Sequence, residues 1–133
     1  MGEKWMSINT LINIAFVVII TWFLYSRFRP IKGLKNLKPY EFQSEFQTGK
    51  NVFLVDVREP SEFQGGYIPG ARNIPLSQLN GRISEIPKDK RLMLYCRSGM
   101  KSKTAARLLL KSGFKNLAHL QGGIGAWQGN ISK

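Results

Sequence analysis

A stretch of twenty-one residues without a charged side chain lies near the start of the chain and limits what it can fold into. The stretch reads WMSINTLINIAFVVIITWFLY and runs from Trp5 to Tyr25. As an α-helix that rises about 1.5 Å per residue, it would reach roughly 31 Å, which matches the hydrocarbon core of a bilayer. Aromatic rings near both of its ends suit the headgroup region. The stretch therefore predicts a transmembrane helix over residues 5–25.

A cleaved signal peptide and a buried helix of a soluble protein are the alternatives for this stretch. The apolar run is long for a signal peptide, and the charge in front of it is weak because Glu3 offsets Lys4. The segment RFRPIKG follows where a cleavage site with small residues would be expected. A membrane anchor is the better interpretation.

The residues after the apolar stretch carry a concentrated positive charge. Residues 26–39 hold five cations and no acid, namely Arg27, Arg29, Lys32, Lys35 and Lys38. Cationic flanks stay on the cytoplasmic side, so we predict a single-pass membrane protein whose carboxy-terminal domain lies in the cytoplasm. Residues 26–37 form a basic juxtamembrane linker that suits anionic lipids, and no nucleic-acid partner is predicted.

Residues 38–133 show helical and strand-like segments in alternation. Short valine- and leucine-rich runs are typical of buried parallel strands, and the segments between them carry helix start and stop signals. Strands separated by helices predict an α/β domain with a mainly parallel sheet. The predicted strands are 51–57, 91–96 and 116–123, and 71–76 is predicted as a short extended piece. The predicted helices are 39–49, 77–86, 102–113 and 124–130, with 61–66 as a short turn or helix. Ser102 is the predicted N-cap of the helix over 102–113.

The chain has one cysteine, Cys96, in the stretch YCRSGMKS. A single cysteine makes neither an intramolecular disulfide nor a cysteine-based zinc site, and a reducing compartment is permitted. The sequence predicts no metal and no cofactor.

Cys96 ends a predicted strand just before a helix begins, which is where parallel sheets bind ligands. The loop after Cys96 contains a flexible glycine and two cations, and the free N–H groups at the start of the following helix point towards this loop. The glycine, the cations and the N–H groups all favour a thiolate and an anionic ligand. A buried, inert cysteine is the alternative. The predicted anion-binding loop consists of Arg97, Ser98, Gly99, Met100, Lys101 and Ser102.

Four stretches in this order resemble the rhodanese-homology family, the single-domain thiosulfate sulfurtransferases. They are DVREPSEF at 56–63, GYIPGARNIP at 66–75, CRSGMKS at 96–102 and LQGGIGAW at 120–127, and together they cover essentially all of residues 38–130. The resemblance implies a five-stranded parallel sheet flanked by helices. It also implies a catalytic cysteine, here Cys96, that accepts a sulfane sulfur as a persulfide and passes it to an acceptor.

The sequence departs from the family pattern at two positions. Lys101 stands where many relatives have arginine, which keeps the charge but loses the bidentate fork, so the affinity for thiosulfate itself is open. Tyr67 stands where a histidine is common, at a position that is mostly structural in the family.

Several other residues have structural interpretations as well as functional ones. Asp56 and Arg58 resemble the family's Asp-x-Arg, and we expect a supporting pair of Asp56 with Arg58 or with Arg72. His119, the single histidine of the chain, is expected to be a satisfied strand residue. The glycines of the last stretch, Gly122 and Gly123, are expected to let the final turn pass close to the sheet, with Trp127 in the core.

The sequence thus predicts a membrane-anchored sulfurtransferase that uses a small anionic sulfur donor and a thiol, cyanide or protein acceptor. A cysteine phosphatase is one alternative, but its loop places an arginine six residues after the cysteine, where this chain has Ser102. A weakly catalytic or non-catalytic module that binds a protein partner at the membrane is the other.

Overall fold

A computed structural model describes residues 7–133. The chain divides into two compact units, one up to Pro30 and the other from Ile31 to Lys133. The predicted membrane segment starts at Trp5, which lies outside the described residues.

The first unit contains one long helix, α1, from Ile8 to Phe28. Its N-cap is Ser7, whose side chain accepts a hydrogen bond from the Thr10 N–H at 3.2 Å. No residue of α1 is buried, although the helix consists mainly of Ile, Val, Leu and Phe. Within residues 7–133 it is the one helix long and apolar enough to cross a membrane, and a signal sequence meets the same two criteria.

The second unit alternates strands and helices along the chain. Its strands are β1 (Leu34–Leu37), β2 (Val52–Asp56), β3 (Arg72–Asn73), β4 (Arg91–Tyr95) and β5 (Leu117–Leu120). Its α-helices are α2 (Pro39–Thr48), α3 (Pro60–Gln64), α4 (Leu76–Leu79) and α5 (Met100–Lys111). Two 3₁₀ segments, Asn80–Glu85 and Ile124–Ala126, follow α4 and β5.

The five strands form one parallel sheet in the order β1-β5-β4-β2-β3. The prediction of an α/β fold with a five-stranded parallel sheet flanked by helices is confirmed. Because all strands run the same way, their carboxyl ends meet at one edge of the sheet, and Cys96 follows the end of the central strand β4 at that edge.

The core lies on both faces of this sheet. Side chains alternate between the faces along each strand, so Leu92 and Leu94 of β4 pack in one cluster with α5, while Met93 and Tyr95 pack in the other with α2. Both faces of β4 are buried, which explains why its sequence is an almost unbroken apolar run.

Three segments differ from the sequence-based expectations. The sheet begins with β1, inside the stretch predicted as linker; this strand was missed because its four residues, LKNL, are half polar and lie among cations. The predicted helix over 77–86 is a short α4 followed by a 3₁₀ segment, interrupted at Arg82. The predicted helix over 124–130 is a single 3₁₀ turn, Ile124–Ala126, because glycines surround it.

Candidate active site

Cys96 lies at the bottom of the loop that joins β4 to α5 and is 1 % exposed. Its Sγ accepts hydrogen bonds from two backbone N–H groups, those of Gly99 at 3.0 Å and Ser102 at 3.3 Å. The Ser102 hydroxyl also faces the sulfur, with Oγ 3.5 Å from Sγ. Backbone N–H groups aimed at a sulfur favour negative charge there, whereas burial opposes it.

The loop reaches this geometry because of Gly99, whose backbone is left-handed with φ 101°. Helix α5 begins at Met100 with Gly99 as its N-cap, three residues earlier than the N-cap predicted at Ser102. The prediction was wrong because the first turn closes over the sulfur: Ser102 lies inside that turn and is fully buried. Its N–H is therefore one of the free amides at the helix start, and it binds Sγ.

The other loop side chains point to solvent. Arg97, Ser98, Met100 and Lys101 are exposed, and together with Cys96, Arg58 and Glu62 they line a pocket of about 300 Å³. Both loop cations therefore stand at the mouth of a pocket that has the sulfur in its wall. An anion that enters the pocket meets positive charge from Arg97 and Lys101.

The 3₁₀ turn Ile124–Ala126 is hydrogen-bonded to the backbone of the loop that contains Cys96. The N–H of Ile124 donates to the Cys96 carbonyl at 2.8 Å, and the N–H of Gly125 donates to the Arg97 carbonyl at 3.2 Å. Gly123 has φ 66° and ψ −167°, a conformation that only glycine adopts readily. A Cβ added at Gly123 would lie only 2.6 Å from the Cys96 carbonyl oxygen, so Gly123 packs closely against the loop that follows β4.

Asp56 pairs with Arg58 and not with Arg72. Arg58 and Asp56 are both buried. Nε and Nη2 of Arg58 donate hydrogen bonds to the carboxylate oxygens of Asp56 at 2.7 to 3.0 Å. Nη2 also donates to the Gly66 carbonyl at 2.7 Å. Arg72 lies opposite Val55 in the β2–β3 register, on the other face of the sheet from Asp56, and is exposed over the Phe53 ring.

This pair supports the site from one side, since Arg58 also lines the pocket. We expect Arg58→Met to lower the free energy of unfolding by about 3 kcal/mol, because it leaves the Asp56 carboxylate buried without its cation. Arg72→Met is the matched control and should cost about 1 kcal/mol or less, the value of an exposed cation–π contact. Urea denaturation followed by circular dichroism measures both. Equal losses in the two variants would contradict this interpretation of the pair.

His119 is buried on β5 and connects the loop to the edge of the sheet. Its Nδ1 lies 2.9 Å from Ser102 Oγ, and its Nε2 contacts Asn36 Oδ1 on the neighbouring strand, directly opposite in the β1–β5 register. Burial and the positive charge of Lys103 lower the pKa of His119 to about 4. The expected satisfied strand histidine is what the structure contains. Neither partner was predicted from the sequence, because Asn36 lies in the unrecognised strand and Ser102 was predicted to cap a helix.

The depressed pKa makes stability depend on pH. In the unfolded chain the imidazole takes up a proton near pH 6.5, whereas in the folded chain it does so only near pH 4. Below pH 6.5 the unfolded state therefore binds more protons, and the free energy of unfolding should fall by about 2 to 3 kcal/mol between pH 6.5 and pH 4. Urea denaturation across this range measures the loss. His119→Leu should lack this part of the pH dependence, and an unchanged slope in that variant would contradict the assignment.

Two aromatic residues from the recognised stretches have structural contacts. Tyr67 stacks on Phe63 with ring centroids 4.1 Å apart, and its backbone bridges to Ser132. Trp127, expected in the core, is only partly buried: it meets the ring of Phe42 edge-on and donates Nε1–H to the Asn130 carbonyl. Within residues 7–133 there is no group of three or more His, Cys, Asp or Glu side chains arranged to hold a metal ion.

Comparisons with known proteins identify the family of this domain. The model of the rhodanese-like domain matches residues 38–130. YqhL, an uncharacterised protein of Bacillus subtilis, is 41 % identical over 123 residues, which cover 92 % of this chain and 95 % of that protein. A protein of Allochromatium vinosum named sulfurtransferase is 44 % identical over 78 residues, covering 59 % of this chain and 73 % of its own.

The fold also matches solved structures. The crystal structure of a rhodanese-related protein from Thermoplasma volcanium superimposes with a TM-score of 0.67 at 26 % identity, over 74 % of this chain and 97 % of that one. The match to the family model and the match to the solved fold cover the same part of the chain, the unit that contains the sheet. The chain belongs to the rhodanese-like family, whose members include proteins named as sulfurtransferases.

Proposed function

We propose that this protein is a membrane-anchored sulfurtransferase in which Cys96 carries the transferred sulfur. The observation that supports this most strongly is the sulfur of Cys96, which accepts two backbone N–H groups at the wall of a pocket whose mouth carries Arg97 and Lys101. Such a site binds an anion next to a nucleophile. The relatives named as sulfurtransferases support the same chemistry.

In the first half of the reaction the Cys96 thiolate attacks the sulfane sulfur of an anionic donor. With thiosulfate as donor, a bond forms between Sγ and the outer sulfur, the sulfur–sulfur bond of thiosulfate breaks, and sulfite leaves with the electron pair. The N–H groups of Gly99 and Ser102 stabilise the thiolate before the attack, and the two loop cations hold the donor.

In the second half a thiolate or cyanide acceptor attacks the outer sulfur of the persulfide. The bond between the two sulfurs of the persulfide breaks, and Cys96 leaves as the thiolate that the amides again stabilise. No oxidant or reductant is consumed when the donor and acceptor are a sulfane sulfur and a thiolate.

Turnover measurements test this proposal. The full chain in detergent should transfer sulfur from thiosulfate or a small organic persulfide to cyanide or a thiol, and it should leave an aryl phosphate intact because Ser102 stands where a cysteine phosphatase has its arginine. Hydrolysis of the aryl phosphate without any sulfur transfer would overturn the proposal. A higher rate with the persulfide than with thiosulfate would indicate that Lys101 binds the sulfonate group weakly.

We further propose that α1 anchors the domain, with residues 26–37 on the cytoplasmic side. Support comes from the length of the helix, its exposed apolar side chains and the cations that follow it. A signal peptide would be removed from the mature protein. Intact mass of the protein from membranes therefore distinguishes an anchor, which leaves the chain whole, from a signal, which shortens it.

A charge placed within α1 tests the anchor directly. Lysine near the centre of a membrane helix costs about 2.5 to 3.5 kcal/mol per residue, so the double variant Ile14→Lys/Val18→Lys should leave the membrane fraction when membranes are washed at alkaline pH. Ser26→Lys adds a charge at the basic end and should stay with the membrane. Retention of the double variant, or release of the unchanged protein, would contradict an anchor.

A further inference from the structure

A chain of hydrogen-bonding side chains runs from the reactive sulfur to the surface edge of the sheet. It joins Cys96 Sγ to Ser102 Oγ at 3.5 Å, Ser102 Oγ to His119 Nδ1 at 2.9 Å, and His119 Nε2 to Asn36 Oδ1. Ser102 and His119 are 0 % and 2 % exposed. Asn36 and His119 meet because they lie opposite each other on the parallel strands β1 and β5.

The direction of each hydrogen bond follows from the inventory of donors and acceptors. A neutral imidazole has one N–H and one bare nitrogen. Because Asn36 Oδ1 only accepts, Nε2 carries the hydrogen and Nδ1 is the acceptor. The Ser102 hydroxyl must then donate to Nδ1.

Ser102 has one hydroxyl hydrogen and a second possible acceptor, the Gly99 carbonyl at 3.1 Å. Nδ1 is the nearer of the two acceptors, at 2.9 Å from Ser102 Oγ. With its hydrogen on Nδ1, Ser102 presents only lone pairs to the sulfur. It can accept the S–H hydrogen of the resting thiol, and it does not donate to a thiolate.

We propose that His119 is a positioning residue for the sulfur chemistry. His119, held by Asn36, orients the Ser102 hydroxyl so that its oxygen accepts a hydrogen bond from the Cys96 side chain. This orientation favours the resting thiol of Cys96. The two backbone amides act in the opposite sense, since they favour the thiolate. The role assigned to His119 rests on the proposed function. Its test does not, because the test measures the reactivity of the free Cys96 thiol and not sulfur transfer.

The imidazole stays neutral through the range in which the thiol is tested, because the pKa of His119 is lowered to about 4. Other charges that face the site are retained in every variant below. They are Arg58 and Glu62 beside the pocket, Arg97 and Lys101 in the loop, and Lys103 on α5 next to His119.

A double-mutant cycle on the full chain tests the proposal. The rate of alkylation of Cys96 by iodoacetamide is measured against pH for the unchanged protein, His119→Leu, Ser102→Ala and the double variant. Without His119 the Ser102 hydroxyl is free to donate to the sulfur, so we expect the midpoint of the pH profile to fall by about one unit in His119→Leu. In the Ser102→Ala background the same change should have no further effect. An unchanged midpoint in His119→Leu, or an equal shift in both backgrounds, overturns the proposal.

A second measurement determines the tautomer of His119 directly and does not depend on the folding of His119→Leu. His119 is the single histidine of the chain, so ¹⁵N-histidine labelling gives the signals of one ring, and these distinguish the tautomers. At pH 7 the unchanged protein should show the hydrogen on Nε2. Asn36→Asp, which keeps an acceptor, should show the same tautomer, whereas Asn36→Ala should show a mixture. A hydrogen on Nδ1 in the unchanged protein overturns the proposal.

Discussion

Replacement of Cys96 by serine should abolish sulfur transfer, with turnover reduced at least about a thousandfold. The substitution changes one atom in a position that is 1 % exposed, so the loop should keep its shape. A serine hydroxyl is not ionised at neutral pH, however, and the amides of Gly99 and Ser102 have no thiolate to stabilise. The rate with a sulfane donor and a thiol acceptor measures the effect.

Ser98→Ala is the matched control for this prediction. It removes a hydroxyl from the same loop, but Ser98 is exposed and its side chain lies at the pocket mouth. The groups of this loop that donate to the sulfur are backbone N–H groups, which Ser98→Ala keeps, so we expect turnover to stay within about threefold of the unchanged protein. If Cys96→Ser retained full turnover, the transferred sulfur would have to be carried elsewhere and the mechanism would be wrong.

Gly123→Ala should impair both stability and turnover, although residue 123 lies far from Cys96 in sequence. An added Cβ would lie 2.6 Å from the Cys96 carbonyl oxygen and closer still to the Arg97 carbonyl. The backbone at this position also has φ 66°, which strains any residue with a side chain. We expect the free energy of unfolding to fall by about 3 kcal/mol. A loop displaced by about 1 Å should lose about a hundredfold in turnover.

Gly125→Ala separates this effect from a general sensitivity of the final turn. A Cβ at Gly125 would meet the Arg97 carbonyl oxygen at 3.4 Å, an ordinary contact distance. Its stability should therefore change by about 1 kcal/mol or less. Urea denaturation measures the stability of the two variants, and their turnover is compared with that of the unchanged protein. Equal behaviour of Gly123→Ala and Gly125→Ala would show that the close approach at Gly123 does not hold the loop.

The parts of the fold that follow from local patterns could be predicted from the sequence. The apolar run of β4 marks a strand buried on both faces, and the cations and glycine after Cys96 mark the loop that lines the pocket. The short strand β1 could not be predicted in this way. Its residues, LKNL, are stabilised by pairing with β5, a partner more than eighty residues away in the chain, and no local period reveals such a pairing.

The same limit applies to the site. Cys96 and its loop are contiguous in sequence, so their juxtaposition needs no tertiary information. The supporting contacts are not contiguous: Asn36 reaches His119 through strand register, and Gly123 reaches the loop because the chain returns across the end of β4. The choice of Arg58 over Arg72 as partner of Asp56 also depends on register, which decides the face of the sheet on which each side chain lies.

The intact mass of the full chain, recorded before and after exposure to thiosulfate or an organic persulfide, tests the central claim most directly. We predict a gain of about 32 Da, the mass of one sulfur, which dithiothreitol removes and which is absent from Cys96→Ser. A peptide mass spectrum recorded after digestion identifies the modified residue. No gain in mass with either donor, in a protein whose Cys96 still reacts with iodoacetamide, would contradict the assignment of Cys96 as a carrier of sulfur.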